Sequence, residues 1–194
     1  MSDDSLALLS RVLDQTRSII AAVGPDQASA PTPCTQWNMR QLVNHVVHDV
    51  QQFTAVAQGE GFKASDADVV GDDWLAAYDA AAGALRAAWN EPGALDRTAK
   101  LPFGEVPATW QVGQQITDLA VHAWDVARAA GQHAELDPAV IEAALAWGRQ
   151  NLKPEFRGAA FGPEVPVAAD APSYSQLIGF FGRDPAWRAH QGQA

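Results

Sequence analysis

The amino-acid sequence predicts an all-α protein, a four-helix bundle with an extra helix and a loop-rich C-terminal tail. Two observations indicate this class. Four long segments carry apolar residues at helical spacing, and connections rich in Pro, Gly, Ser or Thr separate them. The 194 residues are typical of one domain, and no repeat, low-complexity tract or linker divides residues 1–194.

The first two predicted helices cover residues 4–23 and 38–58. In the first, leucine, isoleucine and valine side chains recur on one face, and Gly24 provides a stop. A loop rich in Pro, Ser and Thr follows. In the second, Asn38 and Gln41 match the N-cap and N3 positions of a capping box, so we expect the helix to begin at Asn38.

The third and fourth predicted helices cover residues 72–90 and 109–131. The fourth has Thr109 as a candidate N-cap and Gly131 as a suitable residue just beyond its end. Between the two helices, the stretch "RTAKLPFGEV" carries a weak signal for a short β-hairpin.

The fifth predicted helix begins at Asp137–Pro138, an N-cap followed by proline in the first helical position, and runs to residue 152. Beyond it the chain is loop-rich, with one or two helical turns predicted at residues 173–181. We expect the fifth helix and this tail to pack around the four-helix bundle.

Composition excludes several classes of function. The formal net charge of −10 and the pI near 4.7 argue against nucleic-acid binding, which needs a basic face. Membrane association is not supported, because no run approaches the ~20 apolar residues needed to span a bilayer. The N-terminus "MSDDSLALLS" is acidic where a signal peptide is basic. The single cysteine, Cys34, fits a reducing compartment, so we expect a cytoplasmic protein.

The stretch "QITDLAVHAWDVARAAG" places Asp118 and His122 four residues apart in an apolar helical pattern. Side chains at this spacing share a helix face and can converge on one metal ion. A carboxylate on a largely buried helix is costly unless it is paired or coordinated. The alternatives are a surface Asp–His pair and a histidine that is hydrogen-bonded inside the core.

The second helix offers a further candidate ligand. His45 lies between leucine and valine residues in "QLVNHVVHDV", a position that a satisfied core histidine also occupies. In helix bundles, however, inward-facing side chains from different helices assemble metal sites. Together His45, Asp118 and His122 would supply two imidazoles and a carboxylate and leave coordination positions open, as in catalytic zinc sites.

Four stretches give the chain a family resemblance over nearly its whole length: "PTPCTQWNMRQLVNHVV", "ITDLAVHAWDVARAAGQ", "FGPEVPV" and "FFGRDPAW". It resembles the DinB-like metal-binding superfamily, and within it the actinobacterial proteins grouped with mycothiol-dependent maleylpyruvate isomerase. The resemblance implies a four-helix bundle, in an up-down-down-up or similar arrangement. It also implies a divalent metal, usually zinc, held at the positions of His45, Asp118 and His122.

Two departures limit what the resemblance implies. The isomerase has a glutamate at the position of Asp118, and the shorter aspartate would have to approach the metal more closely. It also has a separate C-terminal domain, for which we expect this chain to be too short. The ending "FGRDPAW" is typical of a single-domain branch. The metal therefore transfers better than the substrate.

The resemblance and the open ligand set together point to an enzyme that uses a low-molecular-weight thiol, mycothiol, with an electrophilic small-molecule substrate. The metal would stabilise the thiolate, and the thiolate would attack in a transfer or isomerisation. The alternatives are a metal-water hydrolase, a non-catalytic metal- or ligand-binding protein, and a structural bundle without metal. The sequence leaves the metal's identity and the oligomeric state open, a homodimer included.

Four further side chains have alternative interpretations. Asp125 could accept a hydrogen bond from a ligand histidine or pair with Arg128 or Arg40. His48 could be a fourth ligand, a proton shuttle or a partly exposed histidine. Cys34 is interpreted as a packing residue, and Arg183 as a lid contact, an internal ion pair or a partner for an anionic substrate.

Overall fold

A computed structural model of the protein describes residues 2–60, 67–101, 104–133, 136–158 and 161–189. The helices and strands are α1 (Ser2–Ala21), α2 (Met39–Ala57), α3 (Trp74–Trp89), β1 (Thr98–Leu101), β2 (Gly104–Pro107), α4 (Ala108–Ala129), α5 (Pro138–Asn151) and α6 (Ser173–Phe180). Single 3₁₀ turns lie at Pro25–Gln27, Ala94–Asp96 and Pro154–Phe156.

The bundle consists of α1 to α4. Helices α1 and α2 each pack against both α3 and α4, and the apolar faces of all four form one continuous core. Helix α5 lies against α4, and α6 covers α5. The predicted four-helix bundle with an extra helix is therefore confirmed. Within the part of the chain that the structure describes, no helix combines the length and apolar character needed to cross a membrane.

Two predicted helix starts are confirmed by their capping geometry. The side chain of Asn38 accepts a 2.9 Å hydrogen bond from the Gln41 backbone N–H, and the Gln41 side chain accepts a 3.0 Å bond from the Asn38 N–H. At α5, the Asp137 carboxylate accepts from the Ala139 N–H at 2.8 Å. These bonds satisfy N–H groups that a helix start leaves free.

The prediction of Thr109 as the N-cap of α4 is wrong. The helix already begins at Ala108, and Pro107 precedes it in an extended conformation with no side-chain cap. The reason is that β2 runs directly into α4, and the Ala108 N–H donates to the Arg97 carbonyl across the hairpin at 3.0 Å. Gly131 lies just beyond the other end of α4, with the positive φ of 71° expected there.

The weakly predicted hairpin is present as an antiparallel β1–β2 pair. Ala99 faces Val106 across the pair, and both side chains are buried against Val56 of α2. The residues that connect the two strands, 102–103, lie outside the described residues. The hairpin covers the C-terminal part of α2 and sets the direction from which the chain enters α4.

Gly179 of α6 packs closely against the backbone of the segment that precedes this helix. A Cβ atom at this position would lie 2.7 Å from the Val165 carbonyl oxygen and 3.0 Å from Val167 Cγ1. We therefore expect Gly179→Ala to lower the free energy of unfolding by about 1–3 kcal/mol, as overpacking does. Urea denaturation measures this change.

The matched control is Gly83→Ala in α3. Its Cβ would meet nothing within 4 Å, so alanine's higher helix propensity should leave stability unchanged or raise it by up to about 1 kcal/mol. Equal stability changes at the two positions would contradict the interpretation of Gly179.

Candidate functional site

The three predicted ligands come together where α2 meets α4. The imidazole rings of His45 and His122 lie edge to face with their centroids 4.9 Å apart. One turn before His122 on α4, Asp118 places Oδ1 at 3.8 Å from His122 Nε2. The helical spacing read from the sequence therefore brings the two α4 side chains together, and helix packing adds the imidazole of α2.

Sequence reasoning missed a fourth residue of this cluster, Asp49. It follows His45 by one helical turn, and its Oδ2 lies 3.2 Å from His45 Nε2. Its Oδ1 lies 3.7 Å from Nδ1 of His48, which is buried. The signal was available in the sequence, because His45 and Asp49 repeat the four-residue spacing of Asp118 and His122.

Two buried polar atoms at the cluster have no hydrogen-bond partner among the described residues: Asp118 Oδ2 and His48 Nε2. A buried oxygen of a carboxylate is costly to leave unpaired. Two imidazoles and two carboxylates that face one another, with one oxygen unsatisfied, are a donor set that fits a divalent cation. The residues present thus fit the metal that the sequence predicted.

The carboxylates and imidazoles of the cluster lie close together and largely out of water, and this shifts their pKa values. Burial, and then the neighbouring His122 and His48, lower the pKa of His45 to about 3, so its imidazole is neutral at pH 7. Burial, and then Asp118, raise the pKa of Asp49 to about 8. Burial also raises the pKa of Asp118. Burial thus disfavours the charged forms of both His45 and Asp49.

The other nitrogen of His122 lies against a buried ion pair. Its Nδ1 is 3.0 Å from Asp125 Oδ2, and the Asp125 side chain is fully buried. Arg183, from the segment after α6, donates to both oxygens of Asp125 at 3.1 and 3.4 Å. Although burial opposes protonation, Asp118 and Asp125 raise the pKa of His122 well above its usual value.

Asp125 thus contacts the histidine, as one sequence interpretation held, but it pairs with neither Arg128 nor Arg40. Arg128 lies over the Trp124 ring, and Arg40 pairs with Asp68 at 2.6 Å. The internal ion pair proposed for Arg183 is confirmed, with Asp125 as its partner.

Cys34 packs against the core as the sequence predicts, but a histidine and an acid also lie beside it. Its Sγ lies 3.1 Å from Asp125 Oδ2, 3.5 Å from Arg183 Nη2 and 4.0 Å from His122 Nδ1. Within the described residues, Cys34, His122 and Asp125 are the one group of three candidate metal ligands whose donor atoms all lie within 4.8 Å of one another. The donor atoms of the three predicted ligands are spread more widely.

The distribution of charge nevertheless favours a cation site on the Nε2 side of His122, away from Cys34 and Asp125. The guanidinium of Arg183 already balances Asp125 and would lie directly against any metal held by Cys34, His122 and Asp125. On the Nε2 side, among the described residues, the carboxylates of Asp118 and Asp49 contact imidazoles and no arginine or lysine.

A cavity of about 330 Å³ opens beside the cluster and is lined in part by His45, His48, Arg40 and Trp37. The Trp37 ring lies against His45, with centroids 4.2 Å apart. On another face Trp37 also lines a second cavity of about 490 Å³, together with Trp187 of the tail. Trp37 is therefore a wall of both cavities.

Comparison with known proteins agrees with the predicted family and fold. Residues 9–127 match the family model described as "Mycothiol maleylpyruvate isomerase N-terminal domain". Two proteins of Mycobacterium tuberculosis, "Uncharacterized protein Rv0738" of strain H37Rv and "Uncharacterized protein MT0763" of strain CDC 1551, are each 36% identical over 182 residues. The match covers 93% of this chain and 98% of each relative.

Two crystal structures share the architecture, one of the mycothiol-dependent maleylpyruvate isomerase and one of a single-residue mutant of it. Their TM-scores are 0.57 and 0.60 at 16% identity, covering 75% of this chain and 68% of theirs. At this identity the likeness shows the fold alone. The family match and the 36% identical relatives carry the assignment further: the chain belongs to the mycothiol maleylpyruvate isomerase N-terminal domain family and has its DinB-like helical bundle.

Proposed function

We propose that the protein binds a divalent metal ion, zinc by its donor types, through His45, Asp118 and His122. We further propose that it catalyses a mycothiol-dependent transfer or isomerisation of an electrophilic small molecule. One observation carries the metal proposal. Two imidazoles and Asp118, whose buried Oδ2 has no hydrogen-bond partner within the described part of the chain, converge from two helices beside a cavity.

The donor set supports a catalytic rather than a purely structural role. Three protein ligands leave at least one coordination position for a small molecule, which distinguishes catalytic from structural zinc sites. A bound divalent ion would lower the pKa of a coordinating thiol, so that the thiolate persists at neutral pH. The thiol itself is proposed from the family to which the chain belongs.

The chain's own residues orient the site and limit access to it. Asp125 accepts from His122 Nδ1 and thereby orients the ring so that Nε2 faces Asp118. The Trp37 ring covers one face of His45 and restricts its rotation. A cavity of about 330 Å³ falls within the range that small-molecule ligands occupy, and it reaches His45 directly.

Metal content of the freshly purified protein, measured by mass spectrometry, is the first test. We expect close to one divalent ion per chain. Calorimetry with mycothiol should then show binding to the metal-loaded protein and none after the metal is removed by a chelator. The loaded protein should also accelerate the reaction of mycothiol with a generic electrophile.

Two outcomes would contradict the proposal at different points. A protein that neither contains metal nor takes it up would leave a bundle with internally satisfied histidines, and the whole proposal would fail. A protein that binds metal but neither binds mycothiol nor accelerates its reactions would retain the metal site and refute the thiol-dependent activity.

A further inference from the structure

We propose that Asp49 is a fourth protein ligand of the metal, supplied by α2 one turn after His45. This inference rests on the proposed metal binding and extends it. With four protein ligands, a thiol would bind as a fifth ligand, because zinc in catalytic sites can expand to five-coordinate. Asp49 Oδ2 lies 3.2 Å from His45 Nε2. With metal–ligand bonds of about 2.0–2.2 Å at the tetrahedral angle, two atoms bound to the same ion lie about 3.3–3.6 Å apart, so this separation is close to that of two ligands of one ion.

The arrangement on α2 mirrors that on α4. Each helix presents one imidazole and one carboxylate four residues apart, His45 with Asp49 and Asp118 with His122. On both helices a carboxylate oxygen approaches the Nε2 atom, at 3.2 Å on α2 and 3.8 Å on α4. The two rings meet at 4.9 Å between centroids. Helix bundles build metal sites from such inward-facing pairs on facing helices.

The charge around Asp49 also calls for a cation. No lysine or arginine lies between residues 41 and 60 of the sequence, and among the described residues the carboxylate of Asp49 lies close to the imidazoles of His45 and His48. Asp125 differs, because Arg183 balances its charge. Two ionised carboxylates, Asp49 and Asp118, would balance the charge of one divalent ion, and largely buried carboxylates are costly without such compensation.

A less direct role for Asp49 is the rival interpretation. Its carboxylate would accept a hydrogen bond from His45 Nε2 and orient the ring, while the metal bound elsewhere on the imidazole. Such supporting acids typically change metal affinity by 10–100-fold when they are replaced. A ligand that binds the ion directly should cost more, and it should also change the spectrum of the bound metal.

Two variants loaded with Co²⁺ separate these roles. In Asp49→Cys, a side chain of similar reach ends in sulfur, so a direct ligand produces a thiolate-to-cobalt charge-transfer band in the near ultraviolet that the wild type lacks. In Asp49→Asn, which keeps size and a hydrogen-bond acceptor, we expect Co²⁺ affinity to fall by more than 100-fold. Asp79→Asn, at an exposed pair with Arg17, is the matched control and should bind Co²⁺ like the wild type.

Each result decides the matter. A cobalt-loaded Asp49→Cys variant without the band, or an Asp49→Asn affinity within 100-fold of the wild type, would overturn the assignment of Asp49 and leave the three-ligand site intact. If Asp49→Cys fails to fold, the affinity of Asp49→Asn decides alone. A charge-transfer band in the wild type itself would place the ion on Cys34, and a wild type that binds no Co²⁺ would refute the metal site altogether.

Discussion

Replacing His122 with alanine is expected to lower zinc affinity by more than 100-fold and so to leave the purified protein without metal. The imidazole lies between the two halves of the site, with Nε2 3.8 Å from Asp118 and Nδ1 3.0 Å from Asp125. Replacement of a residue that only supports a ligand costs 10–100-fold, so loss of a direct ligand should exceed that range. Competition with a chromophoric chelator measures the affinity.

The exposed His133 offers a matched control, since His133→Ala removes an imidazole outside the site. Its affinity should equal that of the wild type. Circular dichroism would establish that the His122→Ala chain keeps its helices. Unchanged zinc binding by a folded His122→Ala protein would refute the proposed ligand set.

Asp125→Ala is expected to be the most destabilising single change at the site, lowering the free energy of unfolding by about 3–5 kcal/mol. Asp125 is fully buried, and Arg183, only 11% exposed, depends on it for charge compensation. Removal of the carboxylate leaves a guanidinium unpaired in the interior, and it also removes the acceptor of His122 Nδ1. Urea denaturation of the metal-free protein measures the loss.

A double-mutant cycle identifies the cause. If the unpaired charge is responsible, Asp125→Ala combined with Arg183→Met should recover part of the stability that either change alone removes. The exposed Asp170→Ala control should change stability by less than about 0.5 kcal/mol. Strictly additive effects of Asp125→Ala and Arg183→Met would contradict the interpretation.

The same ion pair has a defined pH dependence. Burial opposes ionisation, but Arg183 and His122 prevail and lower the pKa of Asp125 below its usual value. As the pH falls, Asp125 therefore becomes protonated at a higher pH in the unfolded chain than in the folded chain. The stabilisation is present above the ordinary aspartate pKa of about 3.9, and it is lost as the pH falls from there through the lower folded value.

Local signals in the sequence predict most of the bundle. The capping box of Asn38 and Gln41 and the Asp137–Pro138 start depend on bonds between residues at most three apart, so they are visible without the fold. Thr109 misled because its N-cap preference is also local, whereas the start of α4 is set by a hairpin bond from Ala108 to Arg97. Where a strand leads directly into a helix, as β2 does into α4, the hydrogen bonds of the strand rather than an N-cap side chain decide where the helix begins.

In the candidate site, too, some residues are predictable from local spacing, whereas others are brought together only by the fold. Asp118 and His122 are four residues apart on one helix, and that spacing alone predicts their proximity. Cys34 and Asp125 are 91 residues apart, and Arg183 lies 58 residues beyond Asp125, so only tertiary packing brings them together. Asp49 is four residues after His45, so the same helical spacing predicts that these two side chains lie close together. The sequence interpretation considered His48 as the further ligand in this turn and not Asp49.

The ion pair between Asp125 and Arg183 also bears on how this protein can be exchanged for parts of its relatives. The family match ends at residue 127, two residues beyond Asp125, whereas the positive charge that neutralises it arrives from the segment after α6. A chimaera joined at the edge of the matched region would inherit the aspartate from one parent and its guanidinium from the other. A segment that is exchanged between relatives must therefore extend at least to Arg183 if it is to contain both charges of this ion pair.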